Sequence, residues 1–192
     1  MKAYLQFRTY LFCLLLALPL GNAMAEDDYS TTIKVFQEAG ESGSFFNNSY
    51  GYAVFPTVGK GGVGIGGAYG KGRVYAGGAW KGDTSMSQLS VGFQFGGQAY
   101  SQIIFFEDNR AYDEFTSGNF EFSADASAVA ITAGASASAG STGSAAGASA
   151  GKKDATTVGA YHKGMATFTV AKGGLMYEAV LAGQKFSYKP RQ

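Results

Sequence analysis

Glycine fills 29 of the 192 positions, and after residue 50 it stands within apolar and aromatic stretches as well as between them. Inside a strand, glycine gives up packing and backbone order, so its recurrence marks tight curvature or close backbone approach. The clearest pattern is Leu89, Val91, Phe93 and Phe95 alternating with Ser90, Gly92, Gln94 and Gly96, the period of a half-buried strand. With 15% aromatic residues and 3 prolines, the chain is neither disordered nor collagen-like. The expected fold is mainly β (α+β): one domain, with a strongly curved antiparallel sheet of eight to ten strands closed into a barrel or folded into a sandwich, and short helices near 30–46 and 108–116.

Residues 1–25 read as a secretory signal. Lys2 and Arg8 precede an apolar run from Tyr10 to Leu20, and Ala23-Met24-Ala25 offers a cleavage site after Ala25. The run is shorter than the ~20 residues a membrane-spanning helix needs. The expected organisation is therefore a signal over 1–25 and a single domain over 26–192, in an exported protein of the periplasm or cell envelope, with secretion as a variant. The one cysteine, Cys13, falls in that signal, so the mature chain has no disulfide or thiolate chemistry.

A helix is expected from Ser30 to Ala39, capped by Ser30 or Thr31, and another from Asp108 to Phe115, capped by Asp108 or Asn109. Strands are expected over Gly51–Pro56, 61–69, 72–80, the Leu89 run, Tyr100–Phe106, 120–122, 156–162, 165–171 and 174–188. Gly70-Lys71-Gly72 and Lys81-Gly82-Asp83 read as turns. Of residues 123–151, 24 of 29 are Ala, Gly or Ser. Val129 and Ile131 predict a small-residue strand to about 135, with a loop beyond.

Catalytic signatures are sparse. Gly62-x-Gly64-x-x-Gly67 matches a dinucleotide fingerprint in spacing, but strand and turn residues follow where a phosphate-binding helix is required. His162 is the sole histidine, too few nitrogen ligands for a zinc site. No Gly-x-Ser-x-Gly elbow occurs, and Asp27-Asp28 and Asp113-Glu114 read as solvated surface. The expectation is a non-enzyme with no cofactor and no metal.

Charge is more informative. The formal net charge is +1, which argues against a nucleic-acid binder, yet the signs are segregated along the chain. Residues 57–82 hold Lys60, Lys71, Arg73 and Lys81 with no acid, residues 107–125 hold six acids and Arg110, and residues 155–192 return to a net +4. Such segregation can orient a protein on an anionic membrane surface. Lys60, Lys71, Arg73 and Lys81 are the candidate lipid contacts. If each Lys-Gly pair marks a turn, Lys60 and Lys81 share one rim of the sheet while Lys71 and Arg73 share the other.

Tyr50-Gly51-Tyr52-Ala53-Val54-Phe55-Pro56, Gly66-Gly67-Ala68-Tyr69-Gly70, Ser90-Val91-Gly92-Phe93-Gln94-Phe95-Gly96-Gly97 and Lys172-Gly173-Gly174-Leu175-Met176-Tyr177 together resemble the SYLF family, also called the Ysc84 actin-binding domain, over about residues 43–188. The resemblance implies a non-enzymatic module making peripheral contact with anionic phospholipid or phosphoinositide-like headgroups. Actin binding enters by family analogy alone, and no actin residues carry over. The family's Gly-Trp-Ser-x-Pro-like segment survives only as Trp80. Two alternatives stand beside this reading: an integral outer-membrane β-barrel, and a structural envelope protein binding partners through exposed strand edges.

Overall fold

The computed structural model describes residues 21–192 apart from 64, 92–97, 124, 127, 132–159 and 173–180. Among the described residues four helices, α1 (Gly21–Glu38), α2 (Gly40–Gly43), α3 (Phe45–Asn48) and α4 (Asn109–Thr116), accompany seven strands. These are β1 (Gly51–Val63), β2 (Ile65–Ala76), β3 (Ala79–Val91), β4 (Gln98–Phe106), β5 (Val129–Ile131), β6 (Met165–Lys172) and β7 (Lys185–Pro190). They form one sheet in the order β5-β6-β4-β1-β2-β3-β7.

The mainly β, α+β class holds, with one correction to the expected strand pairing. Its β5–β6 pair is parallel while the others are antiparallel. Residues 132–164 separate those two strands, ample length for the crossover that parallel pairing requires. Of the two expected arrangements, barrel and sandwich, the described sheet fits the curved, sandwich-like one: it is not closed, and β5 and β7 are its two edges. A bilayer-spanning barrel must close so that no edge is left unpaired, so the described sheet is not one.

Among the described residues fewer and longer strands replace the expected set, because two glycine signals lie inside strands and not at turns. Gly70-Lys71-Gly72 is not a turn; it lies in mid-β2, paired with Val58, Thr57, Met86, Ser85 and Thr84. A Cβ on Gly72 would sit 2.6 Å from the Phe55 ring, so close packing requires this glycine. The actual β2–β3 turn is Gly77-Gly78, with φ of 59° and 74°, the left-handed backbone of a two-residue hairpin. Lys81-Gly82-Asp83 likewise runs within β3. Pro56, expected to close its strand, is accommodated by a one-residue register shift in β1, where a missing N–H is tolerated. Its carbonyl accepts a hydrogen bond from Ser101 Oγ at 2.7 Å.

α1 begins well before Ser30, so Ser30 and Thr31 lie within it, as does the expected cleavage position. α4 starts where expected: the Asp108 carboxylate accepts from Ala111 N at 2.8 Å. The 120–122 reading survives as a single Glu121–Lys185 bridge. Of the expected 156–162 strand only 160–162 are described, with His162 bridged to Met165. The readings over 92–97, 132–135, 156–159 and 174–180 lie outside the described residues.

Two apolar clusters sandwich the middle of the sheet. On one face α1–α3 bring Phe36, Ala39, Phe45 and Phe46 onto Val54, Ile103, Phe105 and Phe168. On the other, α4 and residues 120–122 bring Ala111, Phe115 and Phe122 onto Phe55, Ile104, Phe106 and Phe186. Covered on both faces, β4 is buried from Tyr100 to Phe106, which is why it reads as a continuous apolar run. β3 alternates instead: Thr84, Met86 and Gln88 are buried, while Asp83, Ser87 and Leu89 are exposed. The helices thus leave one face of β2, β3 and β7 uncovered.

Candidate functional site

That uncovered face is assembled by cross-strand register. One row reads Lys172, Ala99, Gly59, Tyr69, Ser87, Lys185 across β6, β4, β1, β2, β3 and β7. The next includes Thr57, Lys71, Ser85 and Ser187, and the one beyond it Arg73, Asp83 and Lys189. Small residues make the floor, where the Ser85 and Ser187 hydroxyls lie 2.7 Å apart. Lysines and two large apolar side chains stand above it: Tyr69 is 54% exposed and Leu89 86%.

Four lysines share this face. Lys71 and Lys189 are exposed and engage no carboxylate among the described residues. Lys172 Nζ donates to Thr57 Oγ1 at 2.8 Å and lies 3.9 Å from Asp28. Lys185 Nζ is 3.5 Å from Glu121. Exposed pairs of this kind are weakly coupled, so both lysines remain available to another anion.

The four sequence candidates are not gathered into one cluster. Lys71 stands on the open face. Arg73, two residues along, is only 9% exposed, its guanidinium carbon 4.3 Å from the Tyr29 ring centre and 3.8 Å from that of Trp80. It therefore clamps α1 to the sheet. Lys81 is exposed at the β3 register shift, its carbonyl held by Arg191 N at 2.8 Å and Tyr188 Oη at 3.1 Å. Lys60 is half-buried and alternates onto the other face, in line with buried Val58. Lys60 pairs with Ala68 while Gly82, beside Lys81, pairs with Val74, so the two lysines lie about 20 Å apart along β2. The expected sharing of rims fails because the turns are elsewhere. Lys172, Lys185 and Lys189 were legible as basic charge but not as neighbours of Lys71, since sheet order alone brings them together.

A second polar group surrounds Asp125. His162 Nε2 lies 3.0 Å from its carboxylate and Lys163 Nζ 3.2 Å, and Ser123 Oγ donates to it. These contacts, the Ser123 bond foremost and Lys163 next, hold the carboxyl below the ordinary range. All three partners converge on the acid, so His162 is not interposed between Ser123 and Asp125 as a general base would be. Among the described residues no group of three or more His, Cys, Asp or Glu is placed to hold a metal.

The sheet edges are blunt. β5 has three residues, and Phe120–Phe122 hydrogen-bonds along β7, Phe186 N to Phe120 O at 2.8 Å and Phe122 N to Gln184 O at 3.0 Å. Short or covered edges resist strand addition. The open face, not an edge, is the exposed feature of this sheet.

The described residues thus form an open-faced, helix-backed sheet with a lysine-studded surface. Residues 87–189, from β3 to β7, match the family model described as Ysc84: Las17-binding protein actin regulator. The match takes in more than half of the chain, which belongs to this SYLF (Ysc84) family. It is also similar to Beta cell expansion factor A of Aeromonas veronii, with 26% identity over 176 residues, 86% of this chain and 54% of that protein. The chain thus spans about half the length of this curated relative. The family is generally non-catalytic, and membership supports a lipid-binding type of module.

Proposed function

We propose that this protein is an exported, non-enzymatic module that docks peripherally on anionic phospholipid in the cell envelope through the open face of β2, β3 and β7. The observation that carries the reading is the projection of Lys71, Lys185 and Lys189 from the open face of β2, β3 and β7, with Lys172 of β6 in the same cross-strand row. Asp83 stands on that face, and Asp28 and Glu121 pair with Lys172 and Lys185 in exposed contacts. Each lysine near an anionic surface contributes about 1 kcal/mol, so Lys71 and Lys189 alone favour such a surface over a neutral one by roughly 30-fold, and Lys172 and Lys185 add to this as their exposed, weakly coupled pairs give way to phosphate. Arg73 supports the site indirectly by fixing α1, and Lys81 adds charge at the margin. Lys60, on the other face, has no part in the same contact. The reading of residues 1–25 as a secretory signal favours placement in the periplasm or envelope.

Co-sedimentation of the processed protein with vesicles tests this. Binding is expected to phosphatidylglycerol-containing vesicles, weakly or not at all to pure phosphatidylcholine, and to fall steeply as salt rises from about 0.1 M to about 1 M, where the screening length shrinks to about 3 Å. Equal recovery with both vesicle types would remove the electrostatic basis of the reading.

A further inference from the structure

We infer that Leu89 and Tyr69 form a wedge that enters the acyl–headgroup boundary while the lysines stay at headgroup level. The inference rests on the lipid-docking reading and adds an orientation and an anchor. Leu89 is the most exposed of the large hydrophobic side chains among the described residues, and the sheet explains why no described side chain covers it. Its cross-strand partner on β2 is Gly67, which in turn pairs with Gly61 of β1, and on the other side the pairing with β7 ends at Ser87–Lys185, before Leu89 is reached, so no paired side chain stands beside it in its row. Tyr69 pairs with Ser87 and projects from the same face one register step away. Beyond Tyr69 in its row lie Lys185 to one side and Lys172 to the other, and Lys71 is the next same-face residue of β2.

An aliphatic tip, then a phenol, then a ring of ammonium groups follows the polarity of a bilayer from acyl chain to phosphate. The aromatic ring of tyrosine suits the boundary, with its hydroxyl toward water. Charge complementarity favours an anionic lipid surface over a protein partner. Two apolar side chains on a floor of Gly59, Gly67, Ser85, Ser87 and Ser187 also fall short of the packed anchors and roughly 1,000 Å² of a specific protein interface. Val35 and Tyr50, the other exposed large hydrophobics among the described residues, lie on α1 and ahead of β1, and Tyr50 packs on Tyr112 at 5.4 Å.

The test places an environment-sensitive NBD fluorophore on Leu89→Cys of the processed protein and, separately, on Glu114→Cys of α4 on the opposite face. Vesicles of phosphatidylglycerol and phosphatidylcholine carry nitroxide-labelled acyl chains. The label at 89 is expected to shift to the blue and be quenched on binding, with the label at 114 unchanged. Leu89→Ser is expected to weaken pelleting of otherwise unlabelled protein about tenfold with unaltered circular dichroism. If vesicles bind the protein while the label at 89 stays aqueous, the wedge is wrong and lipid docking by another surface stands. If the unmodified protein binds no vesicle, both fail. A label at 89 already buried in a dimer without vesicles would assign this face to a second copy of the chain and overturn the wedge.

Discussion

Replacing Gly72 with alanine places a methyl group 2.6–2.7 Å from two carbons of the Phe55 ring and 2.8 Å from the Val54 carbonyl oxygen. Neither neighbour can yield easily. Phe55 is fully buried, its ring centre 5.7 Å from that of Phe186, and the Val54 carbonyl belongs to the β1 backbone. Overpacking of this kind costs about 1–3 kcal/mol, and this site falls at the upper end, about 3 kcal/mol. Gly59→Ala is the matched comparison, because a Cβ there meets nothing within 4 Å. Relieving the unfolded-state entropy of a strand glycine is expected to stabilise by about 0.5–1 kcal/mol. For a domain of this size, thermal unfolding should separate the two variants by roughly 8–16 °C, with Gly72→Ala below the parent and Gly59→Ala slightly above. Equal shifts in both would refute the argument that Gly72 is required by close packing.

Other consequences concern Arg73 and Tyr100. Arg73→Ala removes the cation stacked over Tyr29 and Trp80. It is expected to lower stability by about 2 kcal/mol in urea unfolding, yet to leave vesicle affinity within about threefold, an outcome a direct lipid contact would not give. Burial pushes the Tyr100 phenol up to about 12, against a smaller opposing effect of its Gln184 hydrogen bond. The folded pKa exceeds the unfolded one, so this contribution is present below pH 10 and disappears as pH rises through about 12. A two-unit rise corresponds to about 3 kcal/mol. Urea midpoints should therefore fall across that window, and fall less in Tyr100→Phe.

Local order was readable where local chemistry determines it. The α4 cap at Asp108 and the unbroken apolar run of β4 each reflect interactions within a few residues, or burial on both faces. The alternation expected from Leu89 fails at Leu89 itself, which is 86% exposed while Thr84, Met86 and Gln88 form the buried face of β3, because no described side chain of the sheet faces it there. Gly70 and Gly72 misled because glycine permits a turn and also permits two strands' side chains to crowd it, and sequence does not distinguish the two uses. Gly77-Gly78, a stronger hairpin signal, was hidden by that first choice. The binding face was legible only in its charge: Lys71 was identified, but Lys172 and Lys185 lie far away along the chain and join its surroundings through the order β6-β4-β1-β2-β3-β7. Arg73 read as surface because Tyr29 and Trp80, the rings that cover it, come from separate elements.

The most direct measurement is vesicle partitioning of Lys71→Gln combined with Lys185→Gln, beside Lys34→Gln on α1 as a control whose native pairing is an exposed one to Glu38 at 3.8 Å. Loss of two cations from the docking face is expected to cost about 2 kcal/mol, about a 30-fold fall in partitioning onto phosphatidylglycerol-containing vesicles, while the control changes little. Partitioning by the double variant equal to that of the parent would contradict the assignment of this face.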